Sequence, residues 1–419
     1  MKKTLVLFSI FFVLAGCSNK TTDEEYAIID VVGSLEKYQR VYCSDYFSSI
    51  ELIPLETKDE CLLPAVPFPG IVLKDSFIFM NGACLYAFDN SGKFLNHIGK
   101  KGQGPGEYLY STFFFLNTDN SVICVEDLRQ ILEYDFNGNH IRSTQKPELE
   151  DDNLIGNCSY AGDDLFIGST FYNGKNNFKY CLFDRDGKIV KYFPNHIFFN
   201  RERKSVSTYD GAFIPIRIDN HLYLKDYVND TLYILENSDL HPAYVFGFGK
   251  YSYPKENLEL RDNLTHFPQN AISFGTGLGV VGMSNFFFYK IRVPDFFSKP
   301  KAKPRYSPFV NEYRPDDSSV YGIYNIDDKT NILLDTDEHL QKGIINDING
   351  GLPVIPRYYA GNGIVVDVWN VEDMKEILTN EYFATRTIKD QQSHQKLKEV
   401  LKSLKDDDNP VVVVAKLKK

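Results

Sequence analysis

Short runs in which apolar and polar residues alternate fill most of the chain, and Asp, Asn and Gly interrupt them at regular intervals. A period of two marks half-buried β-strands, and Asp-x-x-Gly between two such runs marks a hairpin turn. One unit recurs clearly: LYAFDNSGKFLNHIG (85–99), ILEYDFNGNHIRS (131–143) and YCLFDRDGKIVKYF (180–193). Its turn positions are Asp89/Gly92, Asp135/Gly138 and Asp184/Gly187, spaced by 46 and 49 residues. Worn copies follow, with Glu236 and then Asn325 in the Asp place. Asp and Asn favour such turns because their side chains bond the backbone two residues on, and Gly takes the left-handed position without a steric penalty. Further strand-like runs lie upstream of these turns: IVLKDSFIFMNG, SVICVED, DDLFIGSTF and NHLYLKDY. Each unit thus holds about four short strands, the content of one β-propeller blade. The length after residue 40 has room for roughly eight units. Two Pro-rich or charged stretches, Lys250 to Asn270 and Pro294 to Asp317, read as loops and bring the expectation to six blades.

The fold class predicted is therefore all-β, a six-bladed propeller. Its first strong strand, around Ile50 to Leu55, and its last, Val411 to Leu417, would be bare edges unless they pair and close the ring. Helical spacing appears only late, at Val371 to Thr379 and Ile388 to Leu404, with Leu397, Val400, Leu401 and Leu404 on one face. The run Asp406-Asp407-Asp408-Asn409-Pro410 stops the second helix.

The N-terminus has a different grammar. Lys2 and Lys3 precede an apolar core, Leu5 to Val13, and Leu14-Ala15-Gly16-Cys17 follows. That order is a secretory signal, and the core is too short to span a bilayer. The Leu-Ala-Gly-Cys run resembles the lipobox of bacterial lipoproteins, which implies diacylglyceryl transfer to Cys17 and cleavage before it. The expected organisation is a signal peptide at 1–16, a lipid-anchored tether at 17–40 and the propeller at 41–419.

Charge and cysteines narrow the picture. The chain carries a formal −10, and loss of Lys2 and Lys3 with the signal leaves −12. Such a balance disfavours nucleic acid, whose phosphates need clustered Lys and Arg. The six remaining cysteines all fall at or before residue 181, and an exported protein is permitted disulfides. No Cys-x-x-Cys pair exists; Cys84, Cys124 and Cys181 sit in apolar strands as buried thiols, and Cys43 with Cys61 is the favoured bridge.

Motifs with catalytic meaning fail on context. Gly277-x-Gly279-x-x-Gly282 needs a following helix to bind a dinucleotide, but a strand follows. The glycine-rich run from Gly99 to Gly106 lacks Gly-Lys-Ser/Thr and reads as a connection between blades. Asp184-x-Asp186 and Asp335-x-Asp337-Glu338 lack the frame of a calcium loop. The histidines form no zinc pattern, and no nucleophile elbow is present. No catalytic residue, metal or cofactor is predicted from these motifs. Tyr108, Tyr110, Tyr172, Tyr209, Tyr358 and Tyr359 fall in apparent loops, where rings could stack on sugars or peptide side chains.

The chain also resembles the six-bladed β-propeller lipoproteins common in Bacteroidetes, whose blades are similar to NHL repeats. The residues that carry this are Ile50-Glu51-Leu52-Ile53-Pro54-Leu55-Glu56-Thr57, the Phe88-Asp89-x-x-Gly92-Lys93-Phe94 turn, Gly99-x-x-Gly102-Gln103-Gly104-Pro105-Gly106-Glu107-Tyr108, and the C-terminal Asp-Asp-Asn-Pro before a Val-rich strand. The expected function is non-catalytic recognition of a glycan, peptide or partner protein at the outer membrane, since propeller loops converge on one rigid face. Two alternatives stand beside it: an envelope hydrolase or lyase with a site assembled across blades, and a structural subunit of an outer-membrane complex.

Overall fold

The computed structural model describes residues 26–419 except 64–69, 110–112, 120, 150–153, 171–174, 197, 199–212, 219, 227–228, 254–269, 275–278, 304, 308–311 and 315–318. Each predicted Asp-x-x-Gly turn closes through its own carboxylate. Asp89 Oδ1 accepts from the N–H of Ser91 and Lys93 at 2.8 and 3.0 Å, and Asp135 and Asp184 repeat the pattern. Gly92, Gly138 and Gly187 hold φ of 85°, 82° and 76°. Asn325 performs the same service in the worn copy of the fifth blade, whereas Glu236 gives way to a two-residue turn with Asn237 and Ser238 at positive φ.

Six four-stranded antiparallel blades result, written here from the innermost strand outward. The first is Ile71–Lys74, Phe77–Asn81, Leu85–Asp89 and Phe94–Ile98, and the second is Phe113–Asn117, Val122–Glu126, Gln130–Tyr134 and His140–Gln145. The third is Ile155–Gly162, Leu165–Thr170, Phe178–Phe183 and Ile189–Pro194. The fourth is Phe213–Ile218, His221–Asp226, Thr231–Glu236 and Asp239–Phe246. The fifth has Val280–Met283 inside, then Phe286–Arg292, Ser319–Asn325 and Asn331–Leu333, with Ser273–Phe274 also paired to its second strand. The sixth combines Tyr358–Gly361, Ile364–Trp369 and Val411–Leu417 with the early strand Phe47–Pro54 on its outside.

The ring therefore closes by the expected pairing: Ile50 lies opposite Ala415 and Pro54 opposite Val411 in antiparallel register. Asn409, only 2% exposed, pins the junction. Its side-chain amide donates to the carbonyls of Glu56 and Cys61 at 2.7 and 2.9 Å, and its Oδ1 accepts from Leu63 N at 2.8 Å. Six apolar cores fill the seams between neighbouring blades, among them Val125, Leu132 and Tyr134 with Phe79 between the first and second.

The turn of one blade locks against the outer strand of the one before. A Cβ on Gly92, Gly138 or Gly187 would stand 2.1, 2.2 or 2.4 Å from the backbone oxygen of Pro54, His97 or Gln145. The turn glycines are thus required twice, by their own φ and by the neighbouring chain.

Two expectations change. Residues 26–40 are not free tether but a strap on the rim: Ala27–Ile29 adds a parallel fifth strand to the fourth blade, and Gln39 bridges to Leu334 beyond the fifth. Cys43 and Cys61 form no disulfide. Both are buried free thiols, their Sγ atoms turned to the carbonyls of Ile344 and Glu56, and the other four cysteines described are free as well.

The late helices are Val371–Ile377, Asn380–Ala384 and Gln391–Ser403. Asp390 caps the longest by accepting from the N–H of Gln392 and Ser393, and fully buried Leu397 turns its apolar face onto the core shared with Phe47 and Ile50. The loop region predicted around Lys250 to Asn270 lies mostly outside the described residues, while Pro294 to Asp317 contains a small hairpin, Arg305–Ser307 with Glu312–Arg314.

Candidate functional site

Most sequence-derived candidates turn out to serve the fold. Tyr108 is fully buried; its hydroxyl donates to Ile98 O at 2.9 Å and accepts from Leu85 N, so it is not a loop aromatic available to a ligand. Tyr359 is buried in the innermost strand of the sixth blade with its hydroxyl 2.6 Å from Ser284 Oγ. Tyr358 lies on the same strand but keeps some solvent contact. Tyr110, Tyr172, Tyr209 and the acylation candidate Cys17 lie outside the described residues. The Gly99 to Gly106 loop cradles its own acid: Gly104 N donates to Glu107 Oε2 at 2.9 Å, and a Cβ on Gly102 would meet that oxygen at 2.0 Å. Oδ1 of Asp184 is spent on its own turn, and Oδ1 of Asp337 on the N–H of His339 and Gln341 at 2.9 and 2.7 Å.

A cleft of about 350 Å³ opens instead on the rim, where the strap crosses the connection between the fifth and sixth blades. Arg40 comes from the end of the strap and Tyr42 from just after it, Glu338, Asn346 and Asp347 from the connection, and Thr385 and Arg386 from the turn after Asn380–Ala384. The connection runs buried: Asn346 and Asn349 are fully enclosed and bond each other at 2.7 Å. Backbone bridges from Gln39 to Leu334 and Tyr42 to Ile345 fix the strap to it.

Arg386 is the hub of this wall. Its side chain is 2% exposed, it lies over the Tyr382 ring, and it donates to Asp337, to the Tyr382 hydroxyl and to Glu338 Oε1 at 3.0 Å. Burial opposes its charge, but Tyr382 and the carboxylates of Asp337 and Glu338 outweigh that and raise its pKa. Glu338 turns its other oxygen to Arg40 at 3.9 Å. On the opposite side Asp347 accepts from Ser44 N and Oγ at 2.9 and 2.6 Å and from Lys389 Nζ at 2.8 Å. Burial alone would raise the Asp347 carboxyl; Lys389 and Ser44 hold it below the usual range. Three cations and three carboxylates thus face one another in pairs, and the cleft presents a nearly neutral, strongly polar wall beside the part-exposed ring of Tyr42.

Sequence reasoning missed this site because its parts are far apart in the chain: Arg386 stands 49 residues from Asp337, and Lys389 stands 345 from Ser44. The sequence hint was the acidic Asp335-Thr-Asp337-Glu338 run, which supplies two of the three carboxylates of the network.

Among solved structures, the chain is similar to a Bacteroides fragilis protein described as exported, with 18% identity, a TM-score of 0.63, and coverage of 94% of this chain and 100% of that one. It is also similar to a member of the DUF4221 family from Bacteroides vulgatus, with 10% identity, a TM-score of 0.50, and coverage of 89% and 97%. At these identities the likeness establishes the shared propeller fold. No curated protein matches the sequence. The family model of a domain of unknown function, DUF4934, matches residues 26–416, from the first residue of the strap to the closing strand, and the chain belongs to that family.

Proposed function

We propose that this is a lipid-anchored envelope protein that binds a neutral polar ligand, a glycan or a peptide, in the rim cleft without transforming it. The observation that carries the reading is the cleft itself: a rigid concave site with its charges already paired and an aromatic ring at its edge. Paired charges leave hydrogen-bonding capacity without net attraction for polyanions, and at −12 for the mature chain the overall field repels them further. Tyr42 offers a face on which a sugar ring or an apolar side chain stacks. The export reading rests on the Lys2 to Cys17 segment and agrees with the description of the Bacteroides fragilis neighbour.

The test is a panel of neutral oligosaccharides and peptides offered to the purified mature protein, with binding and product release both recorded. Saturable binding without product, weakened about tenfold or more by Tyr42→Ala, is the expected result. Turnover that disappears on mutating Glu338 or Asp347 would replace this reading with the hydrolase one. Separately, Cys17→Ser should move the protein from the membrane pellet to the soluble fraction.

A further inference from the structure

Near the axis of the propeller stands a cation that no carboxylate among the described residues pairs. Along the innermost strand of the fourth blade, Ile216 and Ile218 are buried against Gly282 of the fifth. Side chains alternate along a strand, so Arg217 and the exposed Pro215 take the opposite face. Tyr358 alternates in the same way with buried Tyr359 on the innermost strand of the sixth blade. These two innermost strands touch across the ring although their blades are not neighbours. Arg217 and Tyr358 are close enough to feel each other's charge. Burial raises the Tyr358 phenol to about 12, and its ring packs against the cores flanking the first blade, yet part of the residue stays open to solvent.

Arg217 differs from the other enclosed arginines. Arg185 meets Glu133, Arg357 meets Asp367 and Arg386 meets Asp337. Arg217 has no carboxylate within ion-pair distance among the described residues; one nitrogen, Nη2, donates to the carbonyl of Tyr160 on the third blade. A guanidinium has five N–H donors, so a single carbonyl leaves most of the fork unused. Asp119 lies near, but its Oδ2 is occupied by the Tyr160 hydroxyl at 2.6 Å. Desolvation pulls the Arg217 pKa down, the direction expected of a cation enclosed without a full counter-charge. A role as a strut between the fourth and third blades explains the one hydrogen bond but not the charge, because a neutral amide would make the same bond without the desolvation penalty.

We infer that the part-exposed pair of Arg217 and Tyr358, where the innermost strands meet, binds a carboxylate-bearing ligand, with the Arg217 guanidinium as its anchor and the Tyr358 hydroxyl as a second donor. The planar fork matches the two oxygens of a carboxylate. A single positive charge balances a monoanion, whereas a dianionic phosphate would leave excess charge at the site. A sugar acid and a simple organic acid share the chemistry. The site is distinct from the rim cleft, whose charges are paired internally.

The test compares D-glucuronate, acetate and D-glucose as ligands of the full mature protein, by calorimetric titration and thermal melting in buffer free of other carboxylates and of phosphate. Glucuronate should bind saturably and raise the melting temperature while glucose does neither; binding of acetate as well would identify the bare carboxylate as sufficient. Arg217→Gln should weaken glucuronate about tenfold or more, the scale of a lost charge-assisted hydrogen bond. Tyr358→Phe should weaken it severalfold, and Tyr42→Ala should leave it unchanged. If Arg217→Gln fails to fold, Tyr358→Phe and the glucuronate–glucose comparison still decide. No response of the wild type to millimolar glucuronate or acetate, or equal affinity in Arg217→Gln and wild type, would overturn the site.

Discussion

Replacing Gly138 with Ala tests how the blades interlock. Two terms set the cost. The first is conformational: Gly138 has φ of 82°, and an L-residue there loses about 1–2 kcal/mol, partly offset by a stiffer unfolded chain. The second is steric. The new methyl would stand 2.2 Å from the carbonyl oxygen of His97, a backbone atom of the preceding blade's outer strand that no rotamer change can move. Relieving roughly an ångström of overlap requires bond-angle strain or a strand shift, and 15° of angle strain alone is worth about 4 kcal/mol. Gly361 is the internal control: its φ is 83°, but nothing lies within 4 Å of its would-be Cβ. Gly361→Ala therefore carries only the first term, about 1 kcal/mol, against about 5 kcal/mol for Gly138→Ala, which carries both. In scanning calorimetry Gly361→Ala should lower the melting temperature by about 1–2 °C and Gly138→Ala by about 5–10 °C, since large proteins shift only a degree or two per kcal/mol. Equal shifts would refute the interlock and leave the glycines as ordinary turn residues.

Asn409→Ala should cost about 3–4 kcal/mol, because it removes three buried hydrogen bonds and strands the carbonyl of Cys61 and the N–H of Leu63; denaturant titration measures it, and a loss under about 1 kcal/mol would contradict the pin. Deleting 410–419 should yield insoluble protein, since it exposes Phe47–Pro54 and Ile364–Trp369 as open edges; a truncated chain that melts like the parent would refute the closure. Unfolding the mature protein without reductant should release six titratable thiols, and a count of four would restore a disulfide. Asp347 is held below its ordinary pKa, so its stabilising contribution is present above its unfolded value and lost as pH falls through the lower folded value. Acidification below about pH 4 should loosen the cleft, and Asp347→Asn, weaker at neutral pH, should show a shallower acid slope in thermal melting.

The local grammar of this chain was sufficient for its repeat. Alternation specified strands, and Asp89, Asp135 and Asp184 specified turns, because an Asx turn involves only residues within four positions of one another. The number of strands per period then implied blades, and the bare ends around Ile50 and Val411 implied a closed ring, since unpaired edges are costly wherever they occur. Tertiary structure decided everything that depends on side chains meeting across blades. The tyrosines read as loop residues became core pins because the register, not the local pattern, buries Tyr108 and Tyr359. Asn409, which reads locally as a helix stop, became a junction because two carbonyls from residues 56 and 61 converge on it. The strap looked like tether because residues 26–40 have little alternation of their own; they are ordered by edges that other blades provide. The rim cleft and the axial Arg217 were invisible in the sequence for the same reason. Their chemistry is defined by which charges meet a partner among the described residues and which does not, and pairing is a property of distances between residues that the chain itself keeps far apart.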